Sequence, residues 1–141
     1  MRAVIQRASG ASVSVDGAVV SEFSGEGLVA LVGVTHADGP DDAALIARKI
    51  ADLRLLEGER SVTEAGAPVI VASQFTLYGN AKKGRRPTWN EAAPGEVAEP
   101  LVAAVVADLR ERGLDVGTGV FGADMKVALT NDGPVTLIIE S

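Results

Sequence analysis

The chain has 141 residues, one domain's worth, with 47% hydrophobic and 23% charged residues, which excludes wholesale disorder. It has no cysteine and a single histidine, His36, which removes disulfide scaffolds, thiol nucleophiles, zinc fingers and iron–sulfur clusters. Thirteen basic against nineteen acidic residues leave a net charge of −6, an argument against nonspecific nucleic-acid binding.

Met1 to Arg7 lacks the apolar core of a signal peptide. The longest nearly uncharged run, Gly27 to Ala37, falls well short of the ~20 residues of a membrane span, so the sequence reads as cytoplasmic. Ala3 and Ile5, then Val13 and Val15, alternate with polar residues as half-buried strands do. Asp16-Gly17 predicts a type I′ hairpin, a turn that needs positive φ at both central residues. Gly27 to Val34 is apolar throughout and predicts a central strand buried on both faces. Pro40, Asp41 and Asp42 suit the first turn of a helix, and Leu45, Ile46, Ile50 and Leu53 follow at helical spacing, predicting a helix over 40–52.

Glu57 to Pro68 is polar and glycine-containing and reads as a loop or weak hairpin. Val69-Ile70-Val71-Ala72 reads as a buried strand running into Ser73-Gln74-Phe75-Thr76-Leu77. Gly79 to Pro94 is a long irregular stretch, a kind that compact domains keep for function or leave disordered; it carries Trp89, the sole tryptophan. Val97, Leu101, Val105 and Leu109 predict a helix over 96–112 that ends at Gly113 in the left-handed conformation. Pro100 fits that helix only near its start. Two tail strands, about 124–130 and 135–140, are joined by Asn131-Asp132-Gly133-Pro134. The pattern is that of one α+β domain over residues 1–141, with two helices.

Several motifs invite a chemical reading. Gly117-Thr118-Gly119-Val120-Phe121-Gly122 has dinucleotide-binding spacing, but a strand-like run follows where a helix should open, so these are strand-edge glycines. Gly79 to Gly84 has phosphate-loop spacing without the lysine and hydroxyl that must follow it. Lys82, Lys83, Arg85 and Arg86 place four cations in five residues while the rest of the chain carries −10. The cluster is either a solvated loop or a local phosphate contact on a repelling body, which favours a nucleic-acid end over a duplex. His36 has no nucleophile elbow near it in sequence and reads as a surface residue. Taken singly, Ser73-Gln74-Phe75-Thr76 reads as a strand end with satisfied polar groups and Gly133-Pro134 as an ordinary turn.

Taken together, Ser73-Gln74-Phe75-Thr76-Leu77 and Asn131-Asp132-Gly133-Pro134-Val135-Thr136 resemble the paired signatures of the D-aminoacyl-tRNA deacylase family. Agreement extends to Ile5-Gln6-Arg7, Ala11-Ser12-Val13, Gly84 with Arg86-Pro87, and Thr118-Gly119 with Phe121-Gly122-Ala123-Asp124-Met125. It lapses at Glu57 to Pro68, where the family usually carries a longer segment with a Met-Asn pair. The resemblance implies a mixed or antiparallel sheet with helices on one face, assembled as a homodimer. It further implies an active site at the dimer interface, with Gly133-Pro134 of one subunit entering the Ser73-Gln74-Phe75 pocket of the other. The implied reaction is hydrolysis of the ester joining a D-amino acid, or glycine, to the terminal adenosine of tRNA, with L-aminoacyl-tRNA spared.

The residues suit that chemistry. Ser73, Gln74, Phe75 and Thr76 form the expected catalytic group, with backbone N–H groups at Phe75 and Thr76 stabilising the oxyanion. Thr76 has no base beside it in sequence, so attack by water assisted by the tRNA 2′-hydroxyl is preferred to a covalent threonine. Gly133, Pro134, Arg7, Phe121 and Met125 are the expected substrate-binding and chirality-selecting residues, and Lys82, Lys83, Arg85 and Arg86 the phosphate contacts. The Gly133–Pro134 bond is expected to be cis, making a rigid obstacle at the substrate's α-carbon. No metal and no organic cofactor is implied. The competing reading is a non-catalytic, oligomeric module that binds an RNA end.

Overall fold

The computed structural model describes residues 1–141. Strand β1 (Arg2–Val15) turns at Asp16-Gly17 into β2 (Ala18–Gly33), and both turn residues take positive φ, 50° and 78°. Helix α1 (Pro40–Asp52) is followed by one turn of helix, α2 (Val62–Ala65), then by β3 (Val69–Ser73) and a 3-10 turn over Phe75–Tyr78. Helix α3 (Gly95–Glu111), strand β4 (Val116–Thr118) and strand β5 (Met125–Glu140) complete the chain. The five strands form one mixed sheet in the order β4-β3-β2-β1-β5, parallel at β2/β3 and β3/β4 and antiparallel at β1/β2 and β1/β5. No helix is long and apolar enough to cross a membrane.

Alternation along the strands sorts side chains onto two faces. Leu28, Ala30, Val32, Val69, Val71, Ala3 and Ile5 face α1 and α3 and build the main core with Ile46, Ile50, Val105 and Leu109. Val29 and Ile70 point the other way, into a smaller cluster with Ala8, Ala11 and Val13. Ala8 and Ala11 share a face only because the β1 ladder slips by a residue between Ser9 and Ala11. Gly10, at φ 99°, absorbs that bulge, which flips the alternation beyond it.

Three expectations change. The two strand fragments read at the N-terminus are one strand, because the Gly10 bulge breaks the polarity pattern without breaking the pairing. The two tail strands are likewise one element, β5, bulged at its middle. Glu57 to Pro68 is partly helical: the Ser61 hydroxyl accepts from Glu64 N–H at 3.1 Å and the Glu64 carboxylate accepts from Ser61 N–H at 2.8 Å, a capping box that starts α2. That backbone hydrogen bond also lowers the Glu64 pKa below its ordinary value. The hairpin half of the expectation survives as a Leu56–Arg60 bridge. Pro100 lies six residues into α3 on its exposed side, at the expense of one helical hydrogen bond.

Candidate active site

Strand β3 is buried from Val69 to Ala72 and emerges at Ser73, where the parallel pairing with β2 ends. Gln74 N–H donates to Val32 O at 2.8 Å, the last tie to the sheet, and the backbone then tightens into the 3-10 turn. Such a turn leaves its first N–H groups without partners inside it. Leu77 N–H returns to Gln74 O at 3.2 Å, whereas Phe75 and Thr76 N–H have no acceptor within the chain. The turn is pinned from below by Arg2, whose guanidinium donates to Leu77 O at 2.6 Å and lies 4.8 Å from the Tyr78 ring centre. Burial raises the Tyr78 phenol above its ordinary pKa.

Three clefts reach Ser73, and two of them also include Gln74 and Phe75. One, about 270 Å³ and mostly apolar, runs from Ser73-Gln74-Phe75 towards α3 and is walled by Trp89, Phe121, Val34 and Val102. The other, about 290 Å³, runs from the same three residues past Gly122 and Asp124 to Met125. The structure therefore brings Ser73, Gln74, Phe75, Phe121 and Met125 together, five residues from two distant stretches of sequence. Thr76 is held beside them: Gln74 Nε2 donates to its hydroxyl at 2.6 Å. No imidazole approaches it. His36 is exposed and its Nε2 lies 2.8 Å from Asn90 O, at the surface. Residues 117–122 run from β4 into a turn, with no helix opening on them.

The second motif lies elsewhere in the chain. Gln6 pairs with Thr136 and Ala8 with Asn131, so Arg7 stands opposite four residues, Asp132 to Val135, which bulge from the edge strand. Asn131 Nδ2 closes the neck of the bulge, donating to Arg7 O at 2.9 Å and Val135 O at 3.1 Å. Arg7 Nε lies 3.2 Å from both the carbonyl and a carboxylate oxygen of Asp132, and its NH1 donates to Leu55 O. Glu26 on β2 and Glu57 in the α1–α2 connection approach Asp132, joined by a Glu57 N–H to Glu26 hydrogen bond of 2.8 Å. Gly133 and Pro134 are exposed at the tip, and the bond between them is cis. No cleft at Ser73 includes any residue of 131–135 or Arg7. The basic residues Lys82, Lys83, Arg85 and Arg86 are all exposed on a loop whose base is closed by paired backbone hydrogen bonds between Asn80 and Thr88, at 2.9 and 3.0 Å. Sequence reasoning left Trp89 without a role, although an aromatic inside a long polar loop was the signal available.

A sequence model of the family described as D-Tyr-tRNA(Tyr) deacylase matches residues 4–140. The chain is 66% identical to a D-aminoacyl-tRNA deacylase of Beutenbergia cavernae, with all of both chains covered. It is 64% identical to one of Thermobifida fusca, with 99% of each covered. Among solved structures it superposes on a protein titled c-Myc DNA unwinding element binding protein with a TM-score of 0.90 at 37% identity, covering 100% of this chain and 99% of that one. A structure titled as a probable eukaryotic D-amino acid tRNA deacylase shares the fold alone, with a TM-score of 0.85 at 15% identity over 99% and 98% of the two chains. A family match over residues 4–140 and identities of 64% and 66% over essentially whole chains have one reading: the chain belongs to the D-Tyr-tRNA(Tyr) deacylase family.

Proposed function

We propose that this chain performs the deacylase reaction, hydrolysis of D-aminoacyl-tRNA, at the junction of the two clefts, with Phe75 and Thr76 N–H holding the oxyanion. The observation that carries the assignment is that pair of N–H groups, unpaired within the chain, at the strand end where Ser73, Gln74 and Phe75 line both clefts. Donors fixed by a backbone turn need no reorganisation as charge develops, which makes them an efficient oxyanion site. Water adds to the ester carbonyl, the bond to the ribose 3′-oxygen breaks, and a proton passes to that oxygen, giving free D-amino acid and tRNA. The 2′-hydroxyl of the substrate assists the proton movement, while Ser73, Gln74 and Thr76 line and order the site. Phe121 and Met125 offer the terminal adenosine an apolar wall.

The site is completed by a second copy of the chain. Gly133 and Pro134 of one subunit enter the Ser73–Phe75 cleft of the other, held in position by Arg7 and Asn131, and exclude an L side chain at the α-carbon. Glycine, with no side chain, is admitted, so glycyl-tRNA is a second substrate. An exposed edge strand carrying Ile138, 69% exposed, supports this association. The place of action is the cytoplasm. The decisive assay follows amino-acid release from D-tyrosyl- and L-tyrosyl-tRNA: release from the D-ester alone supports the reading, and equal rates or no release overturn it.

Two variants probe the parts separately. Thr76→Ala is expected to keep activity within about tenfold of the parent, because the hydroxyl accepts a hydrogen bond from Gln74 and has no base to activate it. A loss of ~10⁴-fold with the fold intact means a covalent threonine. Neutralising two of Lys82, Lys83, Arg85 and Arg86 is expected to weaken tRNA binding and flatten the log affinity against log salt slope by about one to two units. Unchanged affinity and slope make the cluster a solvated loop.

A further inference from the structure

Trp89 is placed as neither a core residue nor a chance surface one. It is 44% exposed, yet walls the apolar cleft alongside Phe75 and Phe121. Its ring meets Phe75 edge to face, with centroids 5.6 Å apart and planes at 78°. The indole rests on Gly79, where a Cβ would fall 2.7 Å from Cζ3, so only a bare Cα leaves it this seat. Trp89 also follows directly on the Asn80–Thr88 clasp that closes the loop of Lys82, Lys83, Arg85 and Arg86. Trp89 thus joins the clasp of the four-cation loop, one residue away in the chain, to the strand end, through its contact with Phe75.

We propose that Trp89 is a nucleobase platform, stacking on the base of the nucleotide immediately 5′ of the tRNA's terminal adenosine. The inference rests on the hydrolytic site assigned above. The ester belongs to the last nucleotide, so a strand anchored by its phosphates at residues 82–86 and presenting that ester at Phe75 passes Trp89 with the preceding nucleotide. A stacked aromatic suits this position because every base has a π-face, and each such stack is worth enough to change affinity by about five- to a hundredfold. Cations alone would hold any anion; the aromatic face makes the path one for single-stranded nucleic acid.

Steady-state kinetics with two substrates tests this. D-aminoacyl-tRNA carries the preceding nucleotide, whereas D-aminoacyl-adenosine lacks it. Trp89→Leu keeps an apolar side chain without a π-face and is expected to raise KM for the tRNA about five- to a hundredfold, with KM for the adenosine ester and both kcat values little changed. Trp89→Phe should restore the tRNA KM to near the parent value. An equal KM rise on both substrates, or Phe behaving like Leu, overturns the platform. As the only tryptophan, Trp89 also reports binding directly through its fluorescence. A short single-stranded RNA ending in CCA should quench that emission, more at low salt than at high, and a titration without quenching overturns the proposal. If the parent protein hydrolyses neither ester, the assigned reaction has failed, and the quenching titration still decides the role of Trp89.

Discussion

Gly133→Val is expected to lower deacylation of D-aminoacyl-tRNA by ~10²-fold or more while leaving thermal stability unchanged. Within its own chain the position is permissive. Gly133 is exposed, its φ is not in the positive range, and a Cβ there would meet nothing closer than Asn131 Oδ1 at 3.8 Å. Any large loss must therefore come from contact with something outside the chain. The proposed symmetric dimer, with each cleft receiving the bulge of the other subunit, makes the defect complementable. Mixing Gly133→Val subunits with subunits disabled at the strand end should produce hybrid dimers in which one site unites an intact cleft with an intact bulge. With random exchange about a quarter of the parent activity returns, since half the dimers are hybrid and each has one working site. A mixture that exchanges subunits yet recovers no activity would show that the site is complete within one chain.

Phe75→Pro should cost ~10²–10³-fold in kcat relative to Phe75→Ala, which isolates the oxyanion donor from the side chain. Both substitutions remove the ring and its contact with Trp89. Only proline also removes the N–H. The first position of a helical turn accepts proline well, and the preceding residue, Gln74, lies outside the helical region that proline would forbid, at φ −145° and ψ 84°. The turn should thus survive, which circular dichroism and the melting temperature would check. If Phe75→Pro and Phe75→Ala turn over alike, the Phe75 N–H is not an oxyanion donor. The Thr76 group is then left to act alone.

Much of the architecture is legible in local sequence. Helix α1 occupies the residues its spacing and first-turn acids predict, 40–52. Its Asp42 carboxylate accepts from Gly39 N–H at 2.8 Å and is held below its ordinary pKa, chiefly by a Ser141 hydrogen bond and then by that backbone donor. Gly113 closes α3 at φ 86°, and Asp16-Gly17 makes the expected hairpin. These features were readable because their causes are local: periodicity, proline, positive φ. The missed elements fail for identifiable reasons. Ser61-Val62-Thr63-Glu64 is a capping-box sequence whose helix is only four residues long, so no hydrophobic period accompanies it. Strand β4 has three residues, Val116–Thr118, too few for alternation to register. In β1 and β5 the bulges at Gly10 and at Asp132–Val135 interrupt the pattern while neighbouring ladders continue.

The candidate site divides in the same way. Residue types and their chemistry belong to the sequence: an acidic chain without thiols, four clustered cations, a strand ending in Ser73-Gln74-Phe75-Thr76, and a Gly133-Pro134 motif near the end. Tertiary structure alone decided which of these meet. It brought Phe121 and Met125 to the strand end through two clefts and set Trp89 against Phe75 across a seat that only Gly79 provides. It also carried Arg7 and Gly133-Pro134 away from those clefts to an edge-strand bulge. The physical reason is range. Turns, caps and periodicity act over a few residues, whereas a site is assembled by strand order and register, which depend on pairing between segments more than a hundred residues apart.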